Sequence, residues 1–160
     1  MPGASQPAPV IVKRQYSVSR KRVFYAFATA KALENWFSPA SDIATRVDEF
    51  DFRPGGRYRI SFHIPGGTWS SVAGKFVQID PPSVLSFTWC WEEPDPHAGI
   101  LTEVDIHFRD LGDTTEIVVT HSKMPTVEMQ SRHTEGWAGA LNRLITWLDI
   151  KNGQQLKDPK

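Results

Sequence analysis

Two histidines fall on faces of predicted elements that point toward the protein interior. In a predicted strand, His121 follows Ile117 and Val119 at two-residue spacing. In a predicted helix, His133 lies one turn before Trp137 on the same face. An imidazole in such a setting either bonds the backbone as part of the core or fixes a polar group of a ligand. Both interpretations stay open, and two inward histidines could meet a single ligand group.

The spacing of the five histidines is not that of a metal site. No pair forms an HxH or HxxxH motif, and a single cysteine, Cys90, excludes a cysteine zinc cluster. We therefore expect no metal. Cys90 alternates to the face opposite its two neighbouring tryptophans, so we interpret it as a buried or half-buried spectator.

Catalytic patterns are equally absent from the sequence. Glu103 and Asp105 lie on the polar face of a predicted strand, where we expect solvated carboxylates rather than general acids or bases. No Ser-His-Asp order, nucleophile elbow or phosphate-binding loop appears. We therefore assign no catalytic residue and no cofactor.

The aromatic content is high for a chain of 160 residues, with 6 Trp, 9 Phe and 3 Tyr. Most inward aromatic residues simply build a core. One helix on one sheet needs less aromatic bulk than this, so we expect some of the rings to line a gap. The apolar candidates for contact with a ligand are Trp36, Phe62, Trp89, Trp137 and Leu141.

Length and charge limit the class of protein. The length predicts a single domain over residues 10–152, with loose tails at 1–9 and 153–160. Equal numbers of basic and acidic residues, 18 each, argue against nucleic-acid binding. We expect no membrane-spanning segment and no signal peptide, and hence a cytoplasmic location. The sequence leaves a homodimer open.

The order of predicted elements is strand, two short helices, six strands and one long helix. Ser19 and Thr29 are expected N-caps of the short helices. Apolar and polar residues alternate over residues 57–64, 85–91 and 103–108, and less regular strands are expected near 43–52, 69–79 and 115–121. A helical apolar stripe predicts the last helix over residues 127–150.

This order predicts an α+β fold, a curved antiparallel sheet of six to seven strands that wraps the long C-terminal helix. A strongly curved sheet would part from the helix at one end and leave an apolar cavity. Gly136 and Gly139 interrupt the long helix. Either they permit a close approach of backbone or ligand, or they are tolerated flaws.

Five segments carry a resemblance to a known family. The segment HTEGWAGALNRLITWL, at 133–148, resembles the His-x-x-Gly-Trp signature of proteins homologous to the C-terminal domain of the activator of a heat-shock chaperone ATPase (Aha-type). Four further matches occur in the same order as in that family: TAKALENWFS, FRPGGRYR, GKFVQIDPPSVLSFTW and TEIVVTHSKMP. The resemblance implies the START-like, or SRPBCC, helix-grip fold.

The resemblance is less specific for function, because this fold serves lipid carriers, hormone receptors, cyclases and chaperone activators. The full co-chaperone has an N-terminal docking domain for which this chain has no room, so the resemblance gives chaperone contact little support but leaves it open. Our first hypothesis is a non-enzymatic protein that binds a small hydrophobic or aromatic molecule. A polyketide cyclase or dehydratase with a histidine base, and a stress-related interaction module, remain the alternatives.

Overall fold

A computed structural model describes residues 8–157 of the chain. The elements in chain order are β1 (Val10–Tyr16), α1 (Arg20–Tyr25), α2 (Ala30–Trp36), β2 (Ala44–Phe50), β3 (Arg57–His63), β4 (Trp69–Asp80), β5 (Val84–Trp91), β6 (Thr102–Asp110), β7 (Thr115–Ser122) and α3 (Val127–Lys157). The predicted α+β helix-grip architecture is confirmed.

All seven strands belong to one antiparallel sheet in the order β1-β7-β6-β5-β4-β3-β2. The first two strands along the chain therefore occupy opposite edges, and α1 and α2 form the connection between them. Register shifts at Val47/Glu49 in β2 and Phe76/Gln78 in β4 are β-bulge-like irregularities. Such bulges bend the strands that carry them, so they help the sheet to curve around α3.

The two short helices begin where the sequence predicts. The Ser19 side chain accepts a hydrogen bond from the Arg22 amide at 3.3 Å, and Thr29 accepts one from the Ala32 amide at 3.1 Å. Each hydroxyl satisfies an amide that has no partner within its helix. Both predicted N-caps are confirmed.

The alternation of apolar and polar residues predicts the two faces of the sheet. Along β7, buried residues alternate strictly with partly exposed ones, and β6 follows the same pattern over most of its length. Ile64 is an exception, since it is 52% exposed although its spacing matches the buried face. It lies just beyond His63, where β3 ends, so no neighbouring strand covers it.

The long helix α3 packs its apolar stripe on the concave face of the sheet. The predicted stripe is buried, from His133 and Trp137 to Leu148. The Tyr16 hydroxyl donates to the Leu141 carbonyl at 3.1 Å, which ties the edge strand β1 to the helix.

The helix continues to Lys157, past the predicted end at Ile150, so residues 153–157 are helical rather than a loose tail. Most of the N-terminal tail predicted at 1–9 lies outside the described residues.

Candidate functional site

A cavity of about 330 Å³ lies between α3, strands β3 and β5, and the segment that follows α2. Its exposed lining residues include Pro39, Ile64 and Glu135, so the mouth lies among them. Five aromatic side chains, all buried, form much of the wall: Phe37, Phe62, Trp89, Trp91 and Trp137. The predicted gap between helix and sheet is therefore present, and it is lined mainly by rings.

The segment after α2, residues 37–43, forms one wall and is held against α3. Arg143 of the helix donates to the Ser38 hydroxyl at 3.0 Å and to the Ala40 carbonyl at 2.9 Å. The Pro39 backbone approaches α3 so closely that a Cβ at Gly139 would lie 2.1 Å from the Pro39 carbonyl oxygen. Gly139 is therefore required for a close backbone approach, one of the two explanations left open by the sequence.

Gly136 has a different environment on the same helix. It lines the cavity, and a Cβ added there would meet no heavy atom within 4 Å. The absence of a side chain at this position leaves space beside the neighbouring Trp137 ring. The two glycines of α3 thus serve two purposes, contact at Gly139 and open volume at Gly136.

His121 is fully buried and lies in a chain of hydrogen bonds that joins three strands to α3. The Trp137 indole N–H donates to His121 Nδ1 at 3.0 Å. His121 Nε2 must then carry the proton, and it donates to the Thr102 hydroxyl at 2.8 Å. The Thr102 hydroxyl donates in turn to the Trp89 carbonyl oxygen at 2.8 Å. Every donor in this chain has an acceptor.

His133 has a similar arrangement one step closer to the cavity. Its Nδ1 lies 2.8 Å from the Met129 carbonyl oxygen, which only accepts, so Nδ1 carries the proton. Its Nε2 accepts the Trp91 indole N–H at 3.0 Å. Each histidine therefore receives a tryptophan N–H on one nitrogen and donates from the other.

The histidine rings lie together, with centroids 4.9 Å apart, and both are neutral. Burial and the proximity of His133 lower the pKa of His121 to about 3. Burial also lowers the pKa of His133 to about 4. The hydrogen bond to the Met129 carbonyl opposes this shift, because it favours the charged ring. Since all four ring nitrogens bond to the protein, neither imidazole has a lone pair or proton left for a ligand.

The structure brings four of the seven sequence-predicted ligand contacts to the cavity: Phe62, Trp89, His133 and Trp137. The other three do not line it. Trp36 is 1% exposed and donates its indole N–H to the Ala26 carbonyl at 2.9 Å, while Leu141 and His121 are fully buried. Periodicity selects the inward face of an element, but it does not separate residues at the cavity from those packed deeper.

A charged group that the sequence analysis did not select also lies at the cavity. Arg132 lines the wall, stacks its guanidinium 4.4 Å above the Trp91 ring, and forms two hydrogen bonds to Asp95 at 2.7 and 2.8 Å. Asp95 is nearly buried in the loop 92–99, which the pair ties to α3. Burial alone would raise the pKa of Asp95, but hydrogen bonds from Arg132 and the His97 amide hold it below its usual value.

One polar atom near the cavity has no partner. The indole Nε1 of Trp89 is buried and, among the described residues, unpaired, whereas the indoles of Trp91 and Trp137 both donate to histidines. A buried donor without an acceptor is uncommon in folded proteins. Trp89 also lines the cavity, but its Nε1 atom is itself buried, so other atoms of the ring form the cavity wall.

Neither a metal cluster nor a membrane span occurs in the part of the chain that the structure describes. Within residues 8–157, no three His, Cys, Asp or Glu side chains converge in a way that would hold a metal ion. None of the described helices is both long and apolar enough to cross a membrane. Cys90 is half-buried and free, as predicted.

Comparison with known proteins agrees with the fold and with the family resemblance. The family model for activator of Hsp90 ATPase homolog 1-like proteins, AHSA1, matches residues 17–149. The chain belongs to the AHSA1 family. This match confirms the family resemblance of the sequence motifs, and it includes every residue that lines the cavity, from Phe37 to Ala140. No curated protein matches the chain.

Solved structures resemble the chain over most of its length. An AHSA1 protein from Silicibacter pomeroyi is 23% identical, with a TM-score of 0.80 over 90% of this chain and 99% of that one. A protein from Chromobacterium violaceum is 21% identical, with a TM-score of 0.79 over 89% and 97%. DynU16, a protein of the dynemicin biosynthetic locus, is 16% identical, with a TM-score of 0.71 over 89% and 48%. At these identities the likeness shows the fold alone.

Proposed function

We propose that this AHSA1-family protein binds a small, largely apolar molecule with an aromatic ring in the cavity between α3 and the sheet. The observation that carries the proposal is the cavity itself, about 330 Å³ with five aromatic rings in its wall and Gly136 facing open space. Ligand sites in proteins are mostly apolar concavities with a few fixed polar groups. This cavity has that character.

The volume indicates the size of the ligand. Ligand pockets span about 300–1,000 Å³, so this cavity is at the small end of the range. A compound with one or two rings would fit, whereas a diacyl lipid would have to enlarge the cavity. The flat faces of Phe37, Trp89 and Trp137 favour a planar guest, since aromatic pairs gain about 0.5–1.5 kcal/mol beyond the area that they bury.

Gly136 provides the decisive test of this proposal. Gly136→Phe would place a ring in the open volume without removing any existing contact, so ligand binding should be lost while the fold is kept. Gly136→Ala is the matched control, because a single methyl group leaves most of the volume free. Affinity would be measured by calorimetry and by quenching of tryptophan fluorescence, with 2-naphthol and indole as probes.

Loss of probe binding in Gly136→Phe, with retention in Gly136→Ala, would support the proposal. Failure of a broad panel of one- and two-ring compounds to bind the wild-type protein would overturn it. So would unchanged binding in Gly136→Phe, since the probes would then occupy another site. Circular dichroism of both variants checks that the helix is intact.

The enzyme alternative, a polyketide cyclase or dehydratase, requires a histidine that accepts a proton from the substrate. His133 is the histidine that lines the cavity, but its Nε2 already accepts the Trp91 N–H and its Nδ1 donates to Met129. Protonation of His133 at Nε2 would place its new N–H donor against the Trp91 N–H donor, with no acceptor between them. Binding without turnover is therefore the function that these contacts support best.

A further inference from the structure

We infer that the cavity selects molecules with a positive charge, a protonated amine or quaternary ammonium carried on an apolar body, with Glu135 as the counter-charge. This inference rests on the proposed ligand-binding function and names the chemical class of its ligand. It follows from which polar groups at the cavity are already bonded and which are left free.

The hydrogen-bond donors that line the cavity are almost all committed to protein acceptors. Each has its acceptor within the protein: Ser38 at Ala40, Ser70 at Asp95, Trp91 at His133, Arg132 at Asp95, His133 at Met129 and Trp137 at His121. Two N–H groups are exceptions: the indole N–H of Trp89, which is buried, and the Nε–H of Arg132, which has no acceptor among the described residues. A carboxylate or phosphate needs several free donors, so an anion would find this wall poorly equipped.

The positive charge at the wall is also already matched. Arg132 lies in a two-pronged ion pair with Asp95, whose side chain is only 4% exposed, and its guanidinium covers the Trp91 ring. His97 Nδ1 accepts a further hydrogen bond from Arg132 at 2.7 Å. Recruiting this arginine to a ligand anion would leave a nearly buried aspartate without its partner, which is costly.

Glu135 is the lining charge that remains without a partner. It is three residues beyond Arg132 on α3, the spacing at which a helical ion pair forms, but Arg132 is directed to Asp95 instead. No basic nitrogen lies within 4 Å of the Glu135 carboxylate in the described part of the chain. With Arg132 neutralised by Asp95, the charge left at the mouth is negative.

The aromatic wall suits a cation as well as a planar ring. The faces of Trp, Tyr and Phe attract a cation within about 6 Å by about 0.5–2 kcal/mol, and several rings at steep angles to one another surround it best. Phe37 and Trp89 meet at 82° and Trp89 and Trp91 at 87°, with centroids 6.1 and 5.7 Å apart. Three of the cavity rings thus form an angular wall rather than a stack.

Arg143 is a second cation near the segment 37–43. It does not lie in the cavity, so it does not neutralise the negative charge of Glu135 there. Its guanidinium donates to the Ser38 hydroxyl and to the carbonyls of Ala40 and Asn35, on the side of the segment that faces the helix. It is not among the lining residues.

Two probes of the same shape test the charge preference directly. Phenyltrimethylammonium and tert-butylbenzene differ only in that a nitrogen cation replaces a carbon. Their dissociation constants for the full chain would be measured by tryptophan fluorescence and by NMR line shape. We expect the cation to bind more tightly than its neutral isostere, and 4-tert-butylbenzoate to bind more weakly than both.

Glu135→Gln removes the proposed counter-charge and keeps the shape of the side chain. It should weaken the binding of phenyltrimethylammonium about 5-fold, the effect of losing one charge that is partly exposed to solvent. The affinity for tert-butylbenzene should not change. Asp149→Asn is the control, since it removes one negative charge from the same helix at about 20 Å, beyond the screening length. It should change neither affinity.

The outcomes separate this inference from the proposed function. Tighter binding of tert-butylbenzene than of the cation, or an unchanged cation affinity in Glu135→Gln, would overturn the charge preference while ligand binding stands. Binding of neither probe, together with failure of the naphthol and indole panel, would overturn the proposed function and this inference with it. An equal loss for the cation in Asp149→Asn would show a general charge effect and also overturn it.

Discussion

His121 and His133 link elements of the fold through hydrogen bonds, and they do not act as acids or bases. Each receives the N–H of a tryptophan, Trp137 or Trp91, on one ring nitrogen and donates from the other. A buried imidazole with both nitrogens satisfied is a structural link between elements. The sequence predicts that these histidines point inward. It does not show that neighbouring tryptophans occupy the nitrogens a ligand would need.

This arrangement predicts a loss of stability in mild acid. The pKa values of His121 and His133 in the folded protein, about 3 and about 4, lie below the ordinary value of 6.5. The unfolded chain therefore takes up protons first as the pH falls. The stabilisation is complete above about pH 6.5 and declines as the pH falls, toward about pH 4 for His133 and about pH 3 for His121, by up to about 1.4 kcal/mol per pH unit for each histidine.

Urea unfolding at several values between about pH 7 and about pH 5 measures this slope. His133→Gln should give a flatter dependence than the wild type, even if its stability at neutral pH is lower. His107→Gln, at an exposed position, is the control and should keep the wild-type slope. Equal slopes in the wild type and in His133→Gln would contradict the prediction.

Two glycines of the helix α3, Gly136 and Gly139, have different structural roles. Gly139 lets the Pro39 backbone approach, whereas Gly136 faces open space at the cavity. From the sequence, two explanations were open for both glycines, since a helical pattern carries no information about what lies opposite. The contact at Gly139 depends on where Arg143 holds the segment 37–43.

Alanine substitutions at the two glycines should therefore have opposite effects on stability. Gly136→Ala meets no atom within 4 Å and gains helix propensity, so it should stabilise the protein by about 1 kcal/mol. Gly139→Ala gains the same propensity but forces its Cβ against the Pro39 carbonyl, which costs about 1–3 kcal/mol of overpacking or more. Its net effect should be destabilising.

Chemical denaturation of the two variants, with the wild type as reference, is the measurement. A heteronuclear NMR spectrum would also show shifts in residues 37–43 for Gly139→Ala and not for Gly136→Ala. Stabilisation by both substitutions would contradict the close approach at Pro39.

At the scale of the whole molecule, contacts between distant segments close the end of the sheet that holds the cavity. The loop 92–99 is irregular in sequence, and its anchoring to α3 by the ion pair of Asp95 and Arg132 spans 37 positions. Ser70 of β4 also donates to Asp95, at 3.1 Å. This side of the cavity is therefore fixed by one buried carboxylate that joins a loop, a strand and a helix.

Removal of that carboxylate should loosen the loop. Asp95→Asn leaves Arg132 partly unpaired and should cost about 2 kcal/mol of unfolding free energy, the worth of a charged hydrogen-bond pair. Proteolysis within residues 92–99 should become faster as well. Asp51→Asn breaks the exposed pair with Arg53 and is the control, at under about 1 kcal/mol. Similar effects of the two substitutions would contradict the anchoring role of Asp95.

The sequence by itself determined the element order, the caps at Ser19 and Thr29, the inward faces of the strands and the apolar stripe of α3, because these depend on neighbours at fixed short spacing. Only the tertiary structure decided which inward residues line a cavity and which fill the core, as with Trp137 and Trp36. It also decided that Asp95 meets Arg132 and that the histidine nitrogens are taken. Those contacts join residues far apart in the chain, and sequence periodicity carries no information about distance between elements.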